Sequence, residues 1–220
     1  INGVRIGDLV YDQYLRAAKQ PSLILSDPIL LQKLTEAIAF VYSLEKFFQK
    51  NEVICVCVSH TVYNLAIPAR MAIARNIQSF QITGESIYRL TKENTHAYTD
   101  FKHYRELLDK LPTDYKKLGI VEAQRRLETR LSGAIGVDMP YSTASAFQAT
   151  TTPKSKFIHR NVNEIKILVA VHDFYDSPHA YGDNLFPDFK IWLDFLADIA
   201  NETNYSWYLK THPDLSLIHI

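Results

Sequence analysis

Two strand–helix–strand patterns restrict the fold of this chain more than any other feature. The first consists of VICVCVSH, the helical TVYNLAIPARMAIARNI and the short strand QSFQIT. The second consists of Ile165 to Val171, a helix with an apolar face between Phe189 and Ala200, and the final strand in YSWYLKTHP. Continuous β-branched runs are typical of strands buried on both faces of a parallel sheet. The patterns predict βαβ units and an α/β fold.

Other helices are predicted by three- and four-residue apolar spacing and by proline positions. Pro28 begins a helix that ends near Lys50, and Pro68 lies in the first turn of the helix within the first pattern. A further helix is expected to begin near Phe186, with Pro187 in its first turn. HAYTDFKHYRELLDKL and YKKLGIVEAQRRLETRLSG predict two charged helices between the patterns.

The domain organisation follows from a polar segment between the two patterns. STASAFQATTTPKSK is rich in Ser and Thr and has no apolar period, which is typical of a linker. We expect two Rossmann-like domains with parallel sheets, 1–150 with a helical insertion and 162–214, joined by 151–161. The terminal LSLIHI, 215–220, reads as a translated sequencing adaptor and is expected to be non-native. The C-terminal domain is therefore expected to be truncated, and the chain to be an inactive fragment.

Composition excludes some classes of protein. Basic and acidic residues both number 24, so no net charge indicates a dedicated polyanion-binding protein. No stretch reaches the roughly 20 apolar residues of a membrane-spanning helix. Cys55 and Cys57 alternate along one strand, so their side chains should point the same way, a poor geometry for a disulfide. They are expected to be buried and reduced.

Polar residues follow the predicted strands at their carboxyl ends. Ser59 and His60 follow the first strand, HDFYDSPHAYGDN follows Val171, and KTHPD contains the end of the last strand. Ligands of open parallel sheets bind at this edge. The amino end of the helix expected near Phe186 would add N–H groups that suit a phosphate.

The same polar residues could instead have purely structural roles. His60 has the position of a packed, hydrogen-bonded histidine, and Asp173 and Asp176 are good turn formers. His172 and His179 do not fit a zinc-binding spacing, so no metal is expected. P-loop, GxGxxG, GxSxG and HExxH motifs are absent from the sequence. The residues alone predict an α/β protein with an anion-binding cleft.

Four segments resemble bacterial capsule and surface-polysaccharide biosynthesis proteins, glycosyltransferases of the two-Rossmann-domain type called GT-B. They are IGDLVYDQYLR, VICVCVSHTVYNLAIPARMAIARNI, RLSGAIGVDMPYS and the C-terminal region from ILVAVHDFYDSPH to KTHPD. The resemblance covers nearly the whole chain up to Asp214. The KTHPD end is also similar to capsular sialyl- and Kdo-transferases and to glycerophosphotransferases of teichoic acid synthesis.

The resemblance implies roles for individual residues. His212 of the His-Pro pair would contact the donor phosphates, and Lys210 would support it electrostatically. Neighbouring parallel strands bring their carboxyl ends together, so three residues of the loop after Val171 are expected to form a wall of the same donor pocket: His172, Asp176 and His179. Two residues of the acceptor-side domain are the candidate catalytic bases: Asp8 and His60.

The implied function is transfer of a sugar from a nucleotide-sugar donor to a capsular polysaccharide. The expected partners are the donor and a glycan or lipid-linked acceptor, without nucleic acid, metal or cofactor. The expected location is the cytoplasm, with peripheral association at the inner membrane face. Three alternatives stay open: a glycerophosphotransferase, a nucleotide-sugar 2-epimerase, and a non-catalytic subunit of polysaccharide assembly.

Overall fold

The computed structural model describes residues 1–83, 86–97, 103–136, 145 and 164–211. The chain forms two compact units, one made of 1–100 with 164–220 and the other of 101–163. Both helices and strands are present, with parallel pairing in two small sheets, so the predicted α/β class is confirmed. The division into two Rossmann-like GT-B domains stays a prediction, because its boundary region lies almost entirely outside the described residues.

The first unit contains four helices and five strands among its described residues. The helices are α1 (Gly7–Ala18), α2 (Pro28–Lys50), α3 (Ile67–Ala74) and α6 (Phe189–Glu202). The strands are β1 (Cys55–Val58), β2 (Gln78–Ile82), β3 (Ile87–Leu90), β4 (Lys166–Ala170) and β5 (Ser206–Lys210). A short 3₁₀ helix, Tyr63–Ala66, leads into α3.

The strand pairings confirm both predicted strand–helix–strand patterns. β1 and β2 are parallel neighbours connected through α3, and β4 and β5 are parallel neighbours connected through α6. β3 pairs with β2 in the antiparallel direction and was not predicted. It is four residues long with Arg89 inside it, so its sequence lacks a clear apolar alternation.

The main buried cluster joins α1, α2 and α3. α2 begins and ends as predicted, and the Asp27 carboxylate caps it by accepting a hydrogen bond from the Ile29 N–H at 2.9 Å. Pro68 lies in the first turn of α3, also as predicted. The buried apolar residues of the cluster are Val4, Ile6, Leu9, Val10, Ala37, Val41, Ala66, Ile67 and Met71.

Strand burial differs from the prediction. In β1 the exposed positions alternate with covered ones, and in β4 exposed and half-buried positions alternate, so neither strand is buried on both faces. The reason for β1 is that α3 packs against β1 and β2 from one side. Cys55 and Cys57 are consequently exposed rather than buried, although they are reduced and share a face as predicted, with their Sγ atoms 3.8 Å apart.

α6 begins later than predicted, at Phe189. Pro187 precedes the helix, and Asp188 between them adopts an extended conformation as the N-cap. Its carboxylate accepts a hydrogen bond from the Ile191 N–H at 2.8 Å. An acceptor side chain at this position stabilises a helix start more than proline two residues earlier, which explains the shift.

The second unit contains α4 (Tyr104–Lys110) and α5 (Thr113–Leu131), which confirm the two predicted charged helices. Neither helix has a buried residue in the described part of this unit. The linker 151–161, the terminal segment 215–220 and His212 lie outside the described residues. Among the helices that the structure does describe, none combines the length and apolarity that a membrane crossing needs.

Candidate functional site

The loop between β4 and α6, residues 171–188 and called the β4–α6 loop below, lies against α1. Its central contact is between His179 and Asp12, which are 167 positions apart in the sequence. The His179 Nδ1–H donates a hydrogen bond of 2.6 Å to one carboxylate oxygen of Asp12, and the His179 backbone N–H donates one of 3.2 Å to the other. Tyr11 contacts the imidazole ring edge-on, with 5.2 Å between the ring centroids.

This pair binds a proton more tightly than either group does in water. Burial raises the pKa of Asp12, and the hydrogen bonds from His179 only partly offset that effect. Burial lowers the pKa of His179, but the hydrogen bond and the charge of Asp12 outweigh it, so the His179 pKa lies above its ordinary value. The His179 side chain is 14% exposed, and Asp12 is its only side-chain hydrogen-bond partner among the described residues. Nε2 is therefore the free nitrogen of an oriented imidazole.

Two further contacts fix the end of the β4–α6 loop to α1 and its flanks. Arg5 donates two hydrogen bonds to the Asp183 carboxylate, one of them 3.0 Å long. Asp188 accepts hydrogen bonds from the Tyr11 and Ser22 hydroxyls at 2.7 and 2.6 Å. A buried carboxylate thus caps the amino end of α6 and satisfies one of its N–H groups, and phosphate binding at this helix end stays a prediction.

The start of the loop is held by the 3₁₀ helix. The Tyr63 hydroxyl donates a hydrogen bond of 2.9 Å to Asp176, and the Ser177 hydroxyl donates one of 2.8 Å to the Tyr63 oxygen. Tyr63 and Ser177 both have left-handed backbone conformations, with φ of 54° and 40°, which are rare for residues other than glycine. Asp176 therefore holds the loop, as expected from sequence, and Asp173 forms the expected turn by accepting the Tyr175 N–H at 3.0 Å.

His172 and Lys210 lie at neighbouring strand ends, as predicted. The Val171 N–H donates a hydrogen bond of 3.0 Å to the Lys210 carbonyl. This bond continues the pairing of β4 with β5 up to the residue before His172. Both side chains are exposed. His172 also lies 5.8 Å from the Phe189 ring, measured between centroids. This edge of the β4–β5 sheet presents one cation and one imidazole to solvent.

Asp8, a candidate base, forms a buried ion pair with Arg70. Two guanidinium nitrogens donate hydrogen bonds of 2.7 and 2.6 Å to its two oxygens, and both side chains are almost fully buried. The Arg70 guanidinium also donates to the Arg5 carbonyl at 3.0 Å and lies 3.2 Å from His96 Nε2. Burial alone would raise the pKa of Asp8, but hydrogen bonds from His96 and Arg70 and the Arg70 charge hold it well below its ordinary range. Such a carboxylate is a weak base.

A pocket of about 530 Å³ opens beside this ion pair. It is formed by the segment before α1, the carboxyl half of α3 and the segment after β3. The pocket is lined by Asn2, Gly3, Val4, Arg5, Asp8, Arg70, Ile73, Ala74, Lys92, Thr95 and His96.

His60, the other candidate base, lies apart from these hydrogen-bonded clusters. Its imidazole is exposed, and within the described ranges its side chain bonds only to the Ser59 hydroxyl, at 2.9 Å. The Ser59 carbonyl accepts a hydrogen bond of 3.1 Å from the Gln81 amide. His60 is thus a solvated strand-end histidine in this structure.

Sequence reasoning missed Asp12, Arg70 and His96. A signal was present for two of them. Asp12 follows Asp8 by four residues and therefore lies on the same face of α1. Arg70 is the one charged residue in the apolar helix IPARMAIA, a position where a cation needs a buried partner.

Comparisons with known proteins add nothing to the residue-level picture. No family model, curated protein or solved structure matches the chain significantly. Within the residues described, no group of three or more His, Cys, Asp or Glu side chains is arranged to hold a metal ion.

Proposed function

We propose that the protein is a glycosyltransferase that moves a sugar from a nucleotide donor to a surface polysaccharide. The observation that carries the proposal is the Asp12–His179 pair. It joins IGDLVYDQYLR and HDFYDSPH, two of the segments that resemble capsule-biosynthesis enzymes. A histidine oriented by a buried carboxylate is a recurring general base.

The pair supplies the proton transfer that glycosyl transfer needs. Nε2 of neutral His179 accepts the proton of the acceptor hydroxyl while that oxygen bonds to the anomeric carbon of the donor. The bond between this carbon and the phosphate oxygen breaks, and the nucleotide leaves with the electron pair. Asp12 holds the proton on Nδ1 and stabilises the imidazolium that forms.

The leaving nucleotide develops negative charge, and the edge of the β4–β5 sheet offers cationic support. The Lys210 ammonium belongs to the strand end next to His172, the first polar residue of the β4–α6 loop. A fixed cation at the point where charge develops lowers the barrier of such a step. His172 is a donor to the same phosphate group in this proposal.

In this proposal His179 replaces Asp8 as the base. Asp8 is held in an ion pair by two hydrogen bonds from Arg70, which lower its proton affinity. Asp8 is then a positioning residue that holds α1 against α3. His60 remains a second candidate base because its imidazole is solvent-accessible.

The test is release of nucleotide by the full-length protein from a panel of nucleoside monophosphate and diphosphate sugars. We expect one donor class to be consumed faster when a polysaccharide acceptor is added. His179→Gln should lower the rate roughly 10²- to 10⁴-fold, the usual contribution of general acid–base catalysis. It should also remove the ionisation that limits the rate at low pH. His103→Gln, an exposed histidine of the second unit, is the matched control and should leave both unchanged.

Two results would contradict the proposal. If no nucleotide sugar is consumed and none raises the melting temperature, the protein does not use a nucleotide-sugar donor and the proposal is wrong. If a folded His179→Gln variant keeps the wild-type rate and pH profile, His179 is not the base and the Asp12 contact is structural.

A further inference from the structure

The pocket beside the Asp8–Arg70 pair has an excess of positive charge. Four of its lining residues are basic: Arg5, Arg70, Lys92 and His96. The single carboxylate in the lining, Asp8, is neutralised by its two hydrogen bonds from Arg70. Arg5 and Lys92 are left to set the charge of the opening.

The partners of these two cations are easily displaced. Arg5 lies 3.8 Å from the buried Asp8 carboxylate, which Arg70 already pairs. Its hydrogen-bonded partner is Asp183, whose side chain is 73% exposed, and ion pairs exposed to this extent add little stability. Lys92 is exposed and donates one hydrogen bond, 2.9 Å long, to the neutral Asn76 side chain. Both side chains can therefore turn to an anionic ligand at small cost.

The start of α1 borders the pocket through Asp8. No side chain caps this 12-residue helix, and Asp8, in its first turn, lines the pocket. Unpaired N–H groups at a helix start favour a negatively charged ligand.

Arg70, in the lining of the pocket, keeps one donor without a partner among the described residues. The residue is only 7% exposed and lines the pocket. Its Nε–H is buried and has no hydrogen-bond partner among the described residues. Buried donors of this kind are normally satisfied, because leaving one unpaired is unfavourable.

The size and remaining lining of the pocket define the ligand further. A volume of about 530 Å³ lies within the range of small-molecule sites and far exceeds a bare phosphate. Asn2 and Thr95 offer polar groups for hydroxyls, whereas Ile73 and Ala74 offer apolar surface to a carbon ring.

We infer that this pocket binds a phosphorylated sugar, with the phosphate held by Arg5, Lys92 and the start of α1. The sugar ring lies toward Asn2 and Thr95, which meet its hydroxyls, and toward Ile73 and Ala74, which meet its carbon atoms. This binding does not depend on the proposed transfer reaction, since it is measured without any donor or turnover.

The experiment is calorimetric titration of the full-length protein in phosphate-free buffer with glucose 1-phosphate, inorganic phosphate, glucuronate and glucose. We expect glucose 1-phosphate to bind more tightly than inorganic phosphate, and glucose not to bind. Affinity should fall as salt is added. Lys92→Gln should weaken binding of glucose 1-phosphate roughly ten- to hundredfold, the usual effect of losing one hydrogen bond to a charged group.

Lys50→Gln is the matched control, because it removes the same charge at the end of α2, outside the pocket lining. Arg5→Gln is a second pocket variant and should weaken binding in the same way. Absence of binding by glucose 1-phosphate overturns the inference, as does equal binding by the Lys92 and Lys50 variants. An equal affinity for glucuronate also overturns it, since the pocket would then select carboxylates in general.

Discussion

The α1–α2–α3 region and the β4–α6–β5 region of the same unit are stabilised by different interactions. The first buries a continuous apolar cluster that includes Ile67 and Met71. In the second, α6 has no buried residue, and Leu168 and Leu209 are 67% and 58% exposed. The β4–α6 loop attaches the second region to α1, and the contacts described for it are mainly hydrogen bonds between side chains.

This difference predicts different responses to substitution. Truncating a buried apolar side chain lowers the free energy of unfolding in proportion to the buried area lost and the cavity left. A buried polar contact contributes little net stability while intact, but removing one partner leaves the other unpaired at a larger cost. The first region should therefore resist single polar changes, except where a charge is buried inside it.

Arg70→Ala should produce the largest effect. The substitution leaves the Asp8 carboxylate buried without its guanidinium, so the free energy of unfolding should fall by about 3–5 kcal/mol. Urea denaturation followed by circular dichroism measures this change. Arg125→Ala on α5, where the Glu122 partner is exposed, should cost less than about 1 kcal/mol. Equal losses in the two variants would show that burial of the Asp8–Arg70 pair has no energetic consequence.

Met71→Ala and Leu209→Ala test the apolar side of the comparison. Met71 is fully buried, so its truncation should cost about 2–5 kcal/mol, whereas the exposed Leu209 should change stability by about 0.5 kcal/mol or less. The same denaturation experiment compares both. A large loss from Leu209→Ala would mean that the β4–β5 sheet is covered in solution by something that contacts this face.

Raising the pH should weaken the attachment of the β4–α6–β5 region to α1, with a smaller effect than the substitutions above. The pKa of His179 is raised in the folded protein, so its contribution is full below the ordinary histidine pKa of about 6.5. It is lost as the pH rises through the higher folded value, because the folded state then no longer holds the additional proton. The protection factors of α6 and β5 against hydrogen exchange, taken relative to the intrinsic rate at each pH, should fall above about pH 6.5, while those of α2 stay unchanged.

His179→Gln should remove most of this pH dependence, and His103→Gln on α4 should not affect it. An unchanged slope in the His179 variant would assign the effect to another group. An equal fall of the protection factors in α2 and α6 would mean that the two regions open together, contrary to the comparison.

Local sequence patterns predicted the elements but not their burial. Apolar runs and proline positions located β1, α3, β2, β4 and β5, because hydrophobic periodicity acts within a few residues. The same runs suggested strands buried on both faces. Whether a second layer covers a sheet depends on distant parts of the chain, so the exposure of Cys55 and Cys57 was not predictable.

The candidate site was only partly predictable for the same reason. His179 and Asp176 stood out because polar residues cluster after β4, and Asp8 stood out through the resemblance. Their partners Asp12, Tyr63 and Arg70 lie 167, 113 and 62 positions away along the chain. Local sequence patterns do not show which charged residues pair over such separations. The polar residues after β4 therefore suggested a ligand site, whereas many of them contact other protein groups.

The contact between α1 and the β4–α6 loop also has a consequence for biosynthesis. A ribosome adds roughly 5–20 residues each second, so His179 is made about ten to thirty seconds after Asp12. Arg70 is available much earlier, and Asp8 can find its partner while translation continues. Asp12 cannot. The nascent chain must hold α1 with the Asp8 carboxylate paired and the Asp12 carboxylate hydrated. Although α1 is made before the other described helices, its contacts are therefore among the last to be completed.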